Sequence, residues 1–202
     1  MEICTLVLGS CATNVYIIIE GGDAVVIDPA ENAEYIAEYI NRKNATLKYI
    51  LLTHGHFDHV SAVGELQKRG ARVVISDADY ACFKDGTLNA IFGADVDPFE
   101  SDIMAADGDV LQFIGHTFKV ISTAGHTRGS VCYILDDEII FSGDTLFYAS
   151  VGRTDFTYGN KSELYDSVKK LYGLPHDYKI FAGHGQPTTL DYERKNNPYV
   201  RC

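Results

Sequence analysis

Basic residues are scarce in this sequence of 202 residues, and long apolar runs are absent. Lysine and arginine number 17 against 28 aspartate and glutamate residues, which gives a formal net charge of −11. Because proteins that bind nucleic acids usually present a basic patch to the phosphates, this balance disfavours a nucleic-acid partner. No apolar stretch approaches the roughly 20 residues that cross a bilayer, and the N-terminus lacks a secretory signal pattern. We therefore expect no membrane segment.

Paired cysteine motifs are also missing. The five cysteines are irregularly spaced and include no C-x-x-C pair: Cys4, Cys11, Cys82, Cys132 and Cys202. An odd number without pairing motifs indicates free thiols in a reducing compartment, so we predict a cytoplasmic protein. Cys132 lies in a strand-like apolar run and is expected in the core rather than at a metal. No linker or low-complexity segment divides the chain, which predicts one domain over residues 1–202.

Apolar runs and turn signals alternate through both halves of the sequence. The first half predicts strands at 5–8, 15–20, 24–28, 49–52 and 72–76, helices over 31–44 and up to Gly70, and short helices within 78–92. The second half predicts strands at 110–114, 118–122, 130–135, 138–142 and 178–182, with a helix capped by Asn160. Two sheets with helices outside them give an α/β (α+β) fold, a four-layer αββα sandwich.

The segment 53–59, with the sequence T-H-G-H-F-D-H, directly follows a predicted buried strand. Side chains alternate along an extended backbone, so His54 and His56 point the same way. Asp58 and His59 then begin the next helix, which turns them toward a second point beside the first. Because α/β proteins place their chemistry at the carboxyl ends of strands, this loop predicts two ligands for each of two neighbouring metal ions.

Three further ligand-type residues each follow an apolar run and have glycine neighbours: His126, Asp144 and His184. Glycine lets the backbone turn sharply after a strand and approach a metal closely. Any one of these residues alone is typical of an ordinary loop. Seven such residues at strand ends indicate a metal centre.

The motifs T-H-x-H-x-D-H, G-H-T-x-G-S, S-G-D-T-L-F and G-H-G together resemble those of the metallo-β-lactamase superfamily. The closer likeness is to its small glyoxalase II-like hydrolases, and it implies the same αββα fold. The resemblance also implies three groups of ligands: His54, His56 and His126 at one metal, Asp58, His59 and His184 at a second, and Asp144 bridging the two.

Imidazole and carboxylate ligands suit zinc, iron or manganese, and we expect two divalent ions with zinc as the first choice. Two cations roughly 3.5–4 Å apart lower the pKa of a bridging water and make it a nucleophile near neutral pH. Asp58 is the expected catalytic residue, because it can orient that hydroxide as well as bind metal. Asp28 ends a strand near the motif, where it either supports a ligand histidine or caps a turn. His116 and His176 are expected at the surface.

Residues around the expected pocket give weaker signals about the substrate. The segment 152–156 follows Asp144 closely, and its Arg153 either clamps a substrate carboxylate or pairs with Asp155. Phe147, at the end of S-G-D-T-L-F, and Arg128, where the family more often has proline, are the other expected contacts. The basic residues with which glyoxalase II proteins hold glutathione are not evident at 148–152, and the 18 residues after His184 leave no room for their C-terminal domain.

The expected function is therefore that of a dinuclear metal-dependent hydrolase acting on a small-molecule thioester. We expect the reaction to depend little on glutathione as the thiol carrier. One alternative is an iron-dependent persulfide dioxygenase, because the segment 152–156 resembles both groups. A non-catalytic metal-binding protein on the same scaffold is the other alternative, and the complete ligand set disfavours it. Nothing in the sequence indicates an oligomeric state.

Overall fold

A computed structural model describes residues 1–201 of the chain. The thiol predicted at Cys202 lies outside these residues, whereas Cys4, Cys11, Cys82 and Cys132 are free thiols as expected. Among the described residues, none of the helices combines the length and the apolar character that a bilayer crossing needs.

The first half of the chain builds one six-stranded sheet and four helices. The strands follow one another across the sheet in chain order, antiparallel up to the third and parallel after it. The elements are β1 (Glu2–Leu8), β2 (Thr13–Glu20), β3 (Asp23–Ile27), α1 (Ala33–Arg42), β4 (Thr46–Leu51), α2 (Phe57–Val60), α3 (Val63–Lys68), β5 (Arg72–Ser76), α4 (Asp77–Lys84) and β6 (Ile103–Ala105). A 3-10 turn at Ala90–Phe92 follows α4.

The second half builds another six-stranded sheet, a two-stranded ribbon and two helices. The elements are β7 (Val110–Phe113), β8 (His116–Ser122), β9 (Val131–Leu135), β10 (Ile139–Gly143), β11 (Leu146–Phe147), β12 (Ser150–Val151), α5 (Lys161–Tyr172), β13 (Lys179–Ala182), β14 (Thr188–Thr189) and α6 (Leu190–Asn196). The sheet order is β14-β13-β10-β9-β8-β7, and β11 pairs with β12 in the ribbon.

The two sheets pack face to face, with helices on their outer sides. Successive side chains of a strand point to opposite faces, so Tyr16 and Ile18 of β2 enter the layer between the sheets with Tyr133 and Phe141. Ile17 of β2 instead packs under α1 and α3 in an outer core. The second sheet buries its other face against α5 in a third cluster. The predicted αββα sandwich is confirmed.

Three predictions about elements need correction. The strand predicted over 24–28 ends at Ile27, because Asp28 adopts a left-handed backbone with φ of 50°. The helix predicted from the histidine motif to Gly70 is two helices, since the amide of Ala62 donates to the carbonyls of Pro29 and Ala30 and interrupts the helical ladder. The strand predicted over 118–122 begins two residues earlier, at His116.

The short elements β6, β11, β12, β14 and α6 were not predicted. Apart from α6, each has only two or three residues, and a hydrophobic period cannot be recognised in so short a segment. α6 begins after Thr189, whose side chain accepts a hydrogen bond from the amide of Tyr192. The ribbon β11–β12 follows Asp144 and leads into the segment with Arg153.

Candidate metal centre

The loops that follow β4, β8, β10 and β13 meet at one edge of the sandwich, and they bring the seven ligand-type side chains together. The loop after β4 continues into α2 and carries the T-H-G-H-F-D-H segment. The second sheet supplies the other three residues after its strands β8, β10 and β13. Each half of the chain thus provides part of the cluster.

The first group of converging side chains is His54, His56 and His126. Their ligand atoms lie within 4.8 Å of one another, and all three residues are buried. His56 Nδ1 and His126 Nε2 are 2.9 Å apart. Three imidazole nitrogens at this separation form one face of a metal site.

The second group is Asp58, His59 and His184, whose ligand atoms also lie within 4.8 Å of one another. Asp58 Oδ2 is 3.3 Å from His184 Nε2 and 3.5 Å from His59 Nε2. The helix α2, which starts at Phe57, carries Asp58 and His59 to this second group. The ring centre of His59 lies 4.1 Å from that of His54, so the two groups adjoin.

Asp144 lies between the two groups. Its Oδ1 is 3.5 Å from His59 Nε2, and its Oδ2 is 3.5 Å from His126 Nε2. One carboxylate thus reaches a histidine of each group. This is the position that a ligand shared by two cations must occupy.

Hydrogen bonds behind the cluster fix which ring nitrogens face inward. Asp28 Oδ2 lies 2.9 Å from His59 Nδ1 and accepts the hydroxyl proton of Thr53 at 2.6 Å. Because the Thr53 hydroxyl donates to Asp28, its oxygen accepts from His54 Nδ1 at 3.1 Å. Both rings therefore turn Nε2 toward the cluster. Of the two roles considered for Asp28, contact with a histidine of the cluster is the one observed.

His126 is oriented in the same way by the backbone of the segment 152–156. Its Nδ1 donates to the carbonyl oxygen of Arg153 at 2.7 Å, which leaves Nε2 facing Asp144. The segment predicted to border the pocket therefore also holds a member of the first group.

Asp79 is a buried residue that the sequence did not single out. Its Oδ2 accepts from the Gly55 amide at 2.9 Å and the Thr127 hydroxyl at 2.7 Å, and its Oδ1 accepts from the Gly129 amide at 2.8 Å. Burial raises the pKa of Asp79, against the effect of these hydrogen bonds. The carboxylate ties the loop with His54 and His56 to the loop with His126.

The donor set fits a bound metal. Buried polar atoms in proteins nearly always have a hydrogen-bond partner. Within residues 1–201, however, His54 Nε2, His59 Nε2 and Asp144 Oδ1 are buried and make no hydrogen bond. Nitrogen and carboxylate oxygen atoms that converge in this way are ligands that zinc, iron and manganese accept.

The two groups of side chains differ in charge. Burial lowers the pKa of His54 well below its usual range and that of His56 to about 3, so both rings are neutral. Burial alone would also lower the pKa of His59 and His184, but nearby carboxylates, above all Asp144, raise these values to about 9 and about 11. Metal binding at the second group must therefore release protons, whereas His54 and His56 have none to lose.

Glycines allow the tight packing around Asp144. A Cβ on Gly183 would collide with Asp144 Oδ1 and come within 2.8 Å of His59 Cε1. A Cβ on Gly152 would collide with the carbonyl oxygen of Asp144. The expectation that glycine beside a ligand allows close approach applies directly to Gly183, the neighbour of His184.

A cavity of about 260 Å³ opens beside the cluster. Phe147 and Arg153, two of the predicted substrate contacts, line it together with Phe57, Phe92 and Phe156. Arg128 is not among the described residues that line it, and its guanidinium packs 4.1 Å from the ring centre of Tyr158.

Arg153 adopts the second of its two predicted roles. Its Nε and Nη2 donate to the two carboxylate oxygens of Asp155 at 3.0 and 2.8 Å. Of the two remaining histidines, His176 lies at the surface as expected, with a side chain that is 60% exposed. His116 was expected there too, but its side chain is only 18% exposed, and its Nδ1 lies 2.6 Å from Asp136 Oδ2.

A family model described as the metallo-beta-lactamase superfamily matches residues 8–184. The chain belongs to this superfamily, and the resemblance drawn from the motifs is confirmed. Hydroxyacylglutathione hydrolase GloC of Haemophilus influenzae is 36% identical to it over 185 residues, which cover 88% of this chain and 87% of that protein.

Two solved structures match over nearly the full length. The chain is similar to the BLEG-1 B3 metallo-beta-lactamase with a TM-score of 0.92 and 32% identity, covering 98% of this chain and 99% of that one. It is similar to TTHA1623 in a di-iron-bound form with a TM-score of 0.86 and 32% identity, covering 98% and 100%. The chain is thus a superfamily hydrolase with a metal-binding cluster of histidine and aspartate residues.

Proposed function

We propose that this protein is a dinuclear metal-dependent thioesterase of the glyoxalase II type. The observation that carries the proposal is the position of Asp144, one carboxylate within 3.5 Å of a histidine in each group. His54, His56 and His126 would hold one ion, Asp58, His59 and His184 the other, and Asp144 would be common to both. Zinc is our first choice, and the di-iron form of TTHA1623 keeps iron as the second.

A divalent cation pair in this position lowers the pKa of a water and polarises a carbonyl group. The chain contributes the remaining requirements of hydrolysis. Asp58 lines the cavity, and its Oδ2 is held by the Thr13 hydroxyl at 3.1 Å, so the carboxylate is fixed where it can accept a hydrogen bond from an attacking water. The phenylalanines that line the cavity give the carbonyl apolar surroundings on one side.

The preference for thioesters rests on the relatives. GloC of Haemophilus influenzae carries the name hydroxyacylglutathione hydrolase, and it is similar to this chain over most of both lengths. The cavity offers little to hold the carboxylates of glutathione, because Arg153, the one lysine or arginine among the described residues that line it, is already paired with Asp155. We therefore propose hydrolysis that depends weakly on the thiol carrier.

The test combines metal analysis with a substrate panel. Protein purified without added metal is analysed for zinc, iron and manganese, and then assayed on S-lactoylglutathione and on thioesters of smaller thiols. Oxygen uptake is measured in parallel with glutathione persulfide. We expect close to two ions per chain, thioester cleavage without oxygen consumption, and rates on the two thioester types within about tenfold.

Each result bears on a different part of the proposal. A single ion, with no gain when zinc, iron or manganese is added, contradicts the dinuclear centre. Rapid oxygen consumption without thioester cleavage replaces the hydrolase with an iron-dependent persulfide dioxygenase. A preference for glutathione above a hundredfold removes only the argument about the carrier.

A further inference from the structure

Three phenylalanines from separate segments form one side of the cavity. Phe57 begins α2, Phe92 ends the 3-10 turn, and Phe156 follows β12. The ring centres of Phe92 and Phe156 are 5.1 Å apart, and those of Phe57 and Phe92 are 5.0 Å apart. We call these three residues the phenylalanine wall.

The phenylalanine wall stands directly over the first group of metal-ligand side chains. The ring centre of His56 lies 5.4 Å from that of Phe92 and 5.7 Å from that of Phe156. The ring of His126 is 6.2 Å from Phe156. A substrate carbonyl at the cluster therefore has its nearest substituent against aromatic carbon.

Outside the histidine cluster, the cavity offers an anionic substituent one positive side chain. Arg153 is the one lysine or arginine among the described residues that line it, and Asp155 accepts from both its Nε and its Nη2. Its guanidinium also lies 4.2 Å over the ring of Phe156. A substrate carboxylate would have to share this guanidinium with Asp155, in a chain of net charge −11.

The cavity also limits the size of the enclosed group. Its volume of about 260 Å³ lies below the roughly 300–1,000 Å³ of pockets that bury drug-sized ligands. A short acyl chain fits this space, and a carbonyl at the cluster places that chain against the phenylalanine wall. The thiol portion of the substrate then extends toward solvent.

We infer that the substrates are thioesters of short, uncharged, apolar acyl groups, and that the phenylalanine wall determines this specificity. The inference rests on the proposed thioesterase activity and extends it to the acyl half of the substrate. Apolar contact with Phe92 and Phe156 stabilises the bound acyl chain, and each methylene that leaves water adds to the binding. An acyl group with a terminal carboxylate gains no such contact, and the Arg153 guanidinium that it could approach is already paired with Asp155.

The experiment measures kcat/KM of the metal-loaded protein on N-acetylcysteamine thioesters with acetyl, propionyl, butyryl, pentanoyl and succinyl groups. We expect kcat/KM to rise about fourfold for each methylene up to the length that fills the cavity. Succinyl should be at least tenfold slower than pentanoyl, which has a similar length without the charge.

Variants then locate the specificity. Phe156→Ala should flatten the dependence on chain length, whereas Phe156→Leu, which keeps an apolar side chain, should retain it. Tyr35→Ala, an exposed aromatic of α1, is the matched control and should leave it unchanged. Asp155→Ala releases the Arg153 guanidinium and should raise succinyl turnover severalfold. The metal content of every variant is measured, so that loss of an ion is not mistaken for loss of specificity.

The results separate two failures. If no thioester is cleaved by the metal-loaded protein, the proposed function itself is wrong. If thioesters are cleaved with no dependence on chain length, with succinyl preferred, or with the same dependence in Phe156→Ala, the activity stands and the inferred acyl specificity is overturned.

Discussion

Asp58 lies where the ligand cluster meets the cavity. Its side chain is 16% exposed, and it contacts His184 Nε2 within the cluster and the Thr13 hydroxyl across the loop. Burial works against ionisation, but His59 and His184 lower the pKa of Asp58, so it is a carboxylate at neutral pH. It can therefore act on a bound cation and on a water in the cavity.

Substitution of Asp58 tests this double role. We expect Asp58→Ala to reduce thioester hydrolysis by more than a hundredfold while the far-ultraviolet circular dichroism stays native-like, because Asp58 contributes to the site rather than to an apolar core. Asp97→Ala removes an exposed carboxylate paired with Lys68 and should cost no activity. Activity of Asp58→Ala within tenfold of the parent would exclude the proposed role.

The residues of the centre were predictable to different degrees. The seven ligand-type residues stand out in the sequence because each lies at a strand end within a short local motif. Asp79 does not, because the groups that bind its carboxylate lie 24, 48 and 50 residues away along the chain. The choice between two roles of Arg153 likewise needed side-chain positions, since both roles use the same sequence.

The parallel strands β10 and β13 deliver two members of the centre from adjacent strand ends. Their pairing shifts register between Phe141 and Gly143, just before Asp144. The Gly183 amide then donates to the Gly143 carbonyl at 2.8 Å, which holds the two loops together. Asp144 and His184 are therefore placed by backbone contacts that leave little room for side chains.

A methyl group at Gly183 should disrupt this contact. In Gly183→Ala the new Cβ would meet the Asp144 carboxylate and the ring of His59, so Asp144 must move. We expect the metal content to fall from about two ions to one or fewer, and hydrolysis to fall with it.

The matched control for this substitution is Gly173→Ala at the end of α5. Its nearest contacts would be ordinary, with Lys170 O at 3.4 Å, and its φ is −73°. Gly173→Ala should keep both ions and the parental rate. If Gly183→Ala retained two ions, Asp144 could move and still bind both of them, and the argument from close packing would be wrong.

Elements differ in how well the sequence predicted them. Long amphipathic or continuous apolar segments such as α1, α5 and β9 were found, because packing against a sheet demands a regular apolar pattern. The break between α2 and α3 was missed, since it depends on the carbonyls of Pro29 and Ala30. The strands β11 and β12 of the ribbon have two residues each and are too short to show a hydrophobic period, although they lead into the segment 152–156 beside the cavity.

The centre joins the two halves of the molecule. Loops of the first sheet supply His54, His56, Asp58 and His59, and the second sheet supplies His126, Asp144 and His184. The apolar layer between the sheets already holds the halves together, with Tyr16 of one sheet against Phe141 of the other at 5.2 Å. A cation bound by ligands from both sheets adds bonds across this interface. Because the unfolded chain does not hold these ligands together, the bonds stabilise the folded state.

Removal of metal should therefore lower the stability of the whole molecule. A ligand present at a thousand times its Kd stabilises the folded state by roughly 4 kcal/mol. For a chain of this size that corresponds to a Tm higher by roughly 8–16 °C. The Tm is measured for metal-loaded protein and for protein that has been dialysed first against a chelator and then against buffer without the chelator.

The difference in Tm should also widen as the pH rises from 6 to 9. Without metal, His59 keeps a proton because its pKa is raised to about 9 by Asp144, Asp28 and Asp58 against the effect of burial. The stabilisation from this charged histidine is complete below its unfolded pKa of roughly 6.5 and is lost as the pH rises through about 9. Metal binding must displace the same proton, so metal affinity increases over that interval. Both effects act in one direction: as the pH rises, the metal-free form loses stability and metal binding stabilises the folded form more.

Thermal unfolding of both forms at pH 6, 7, 8 and 9 measures the difference in Tm. A difference that stays constant or shrinks would contradict the assignment of His59 as a metal ligand that is protonated when no metal is bound.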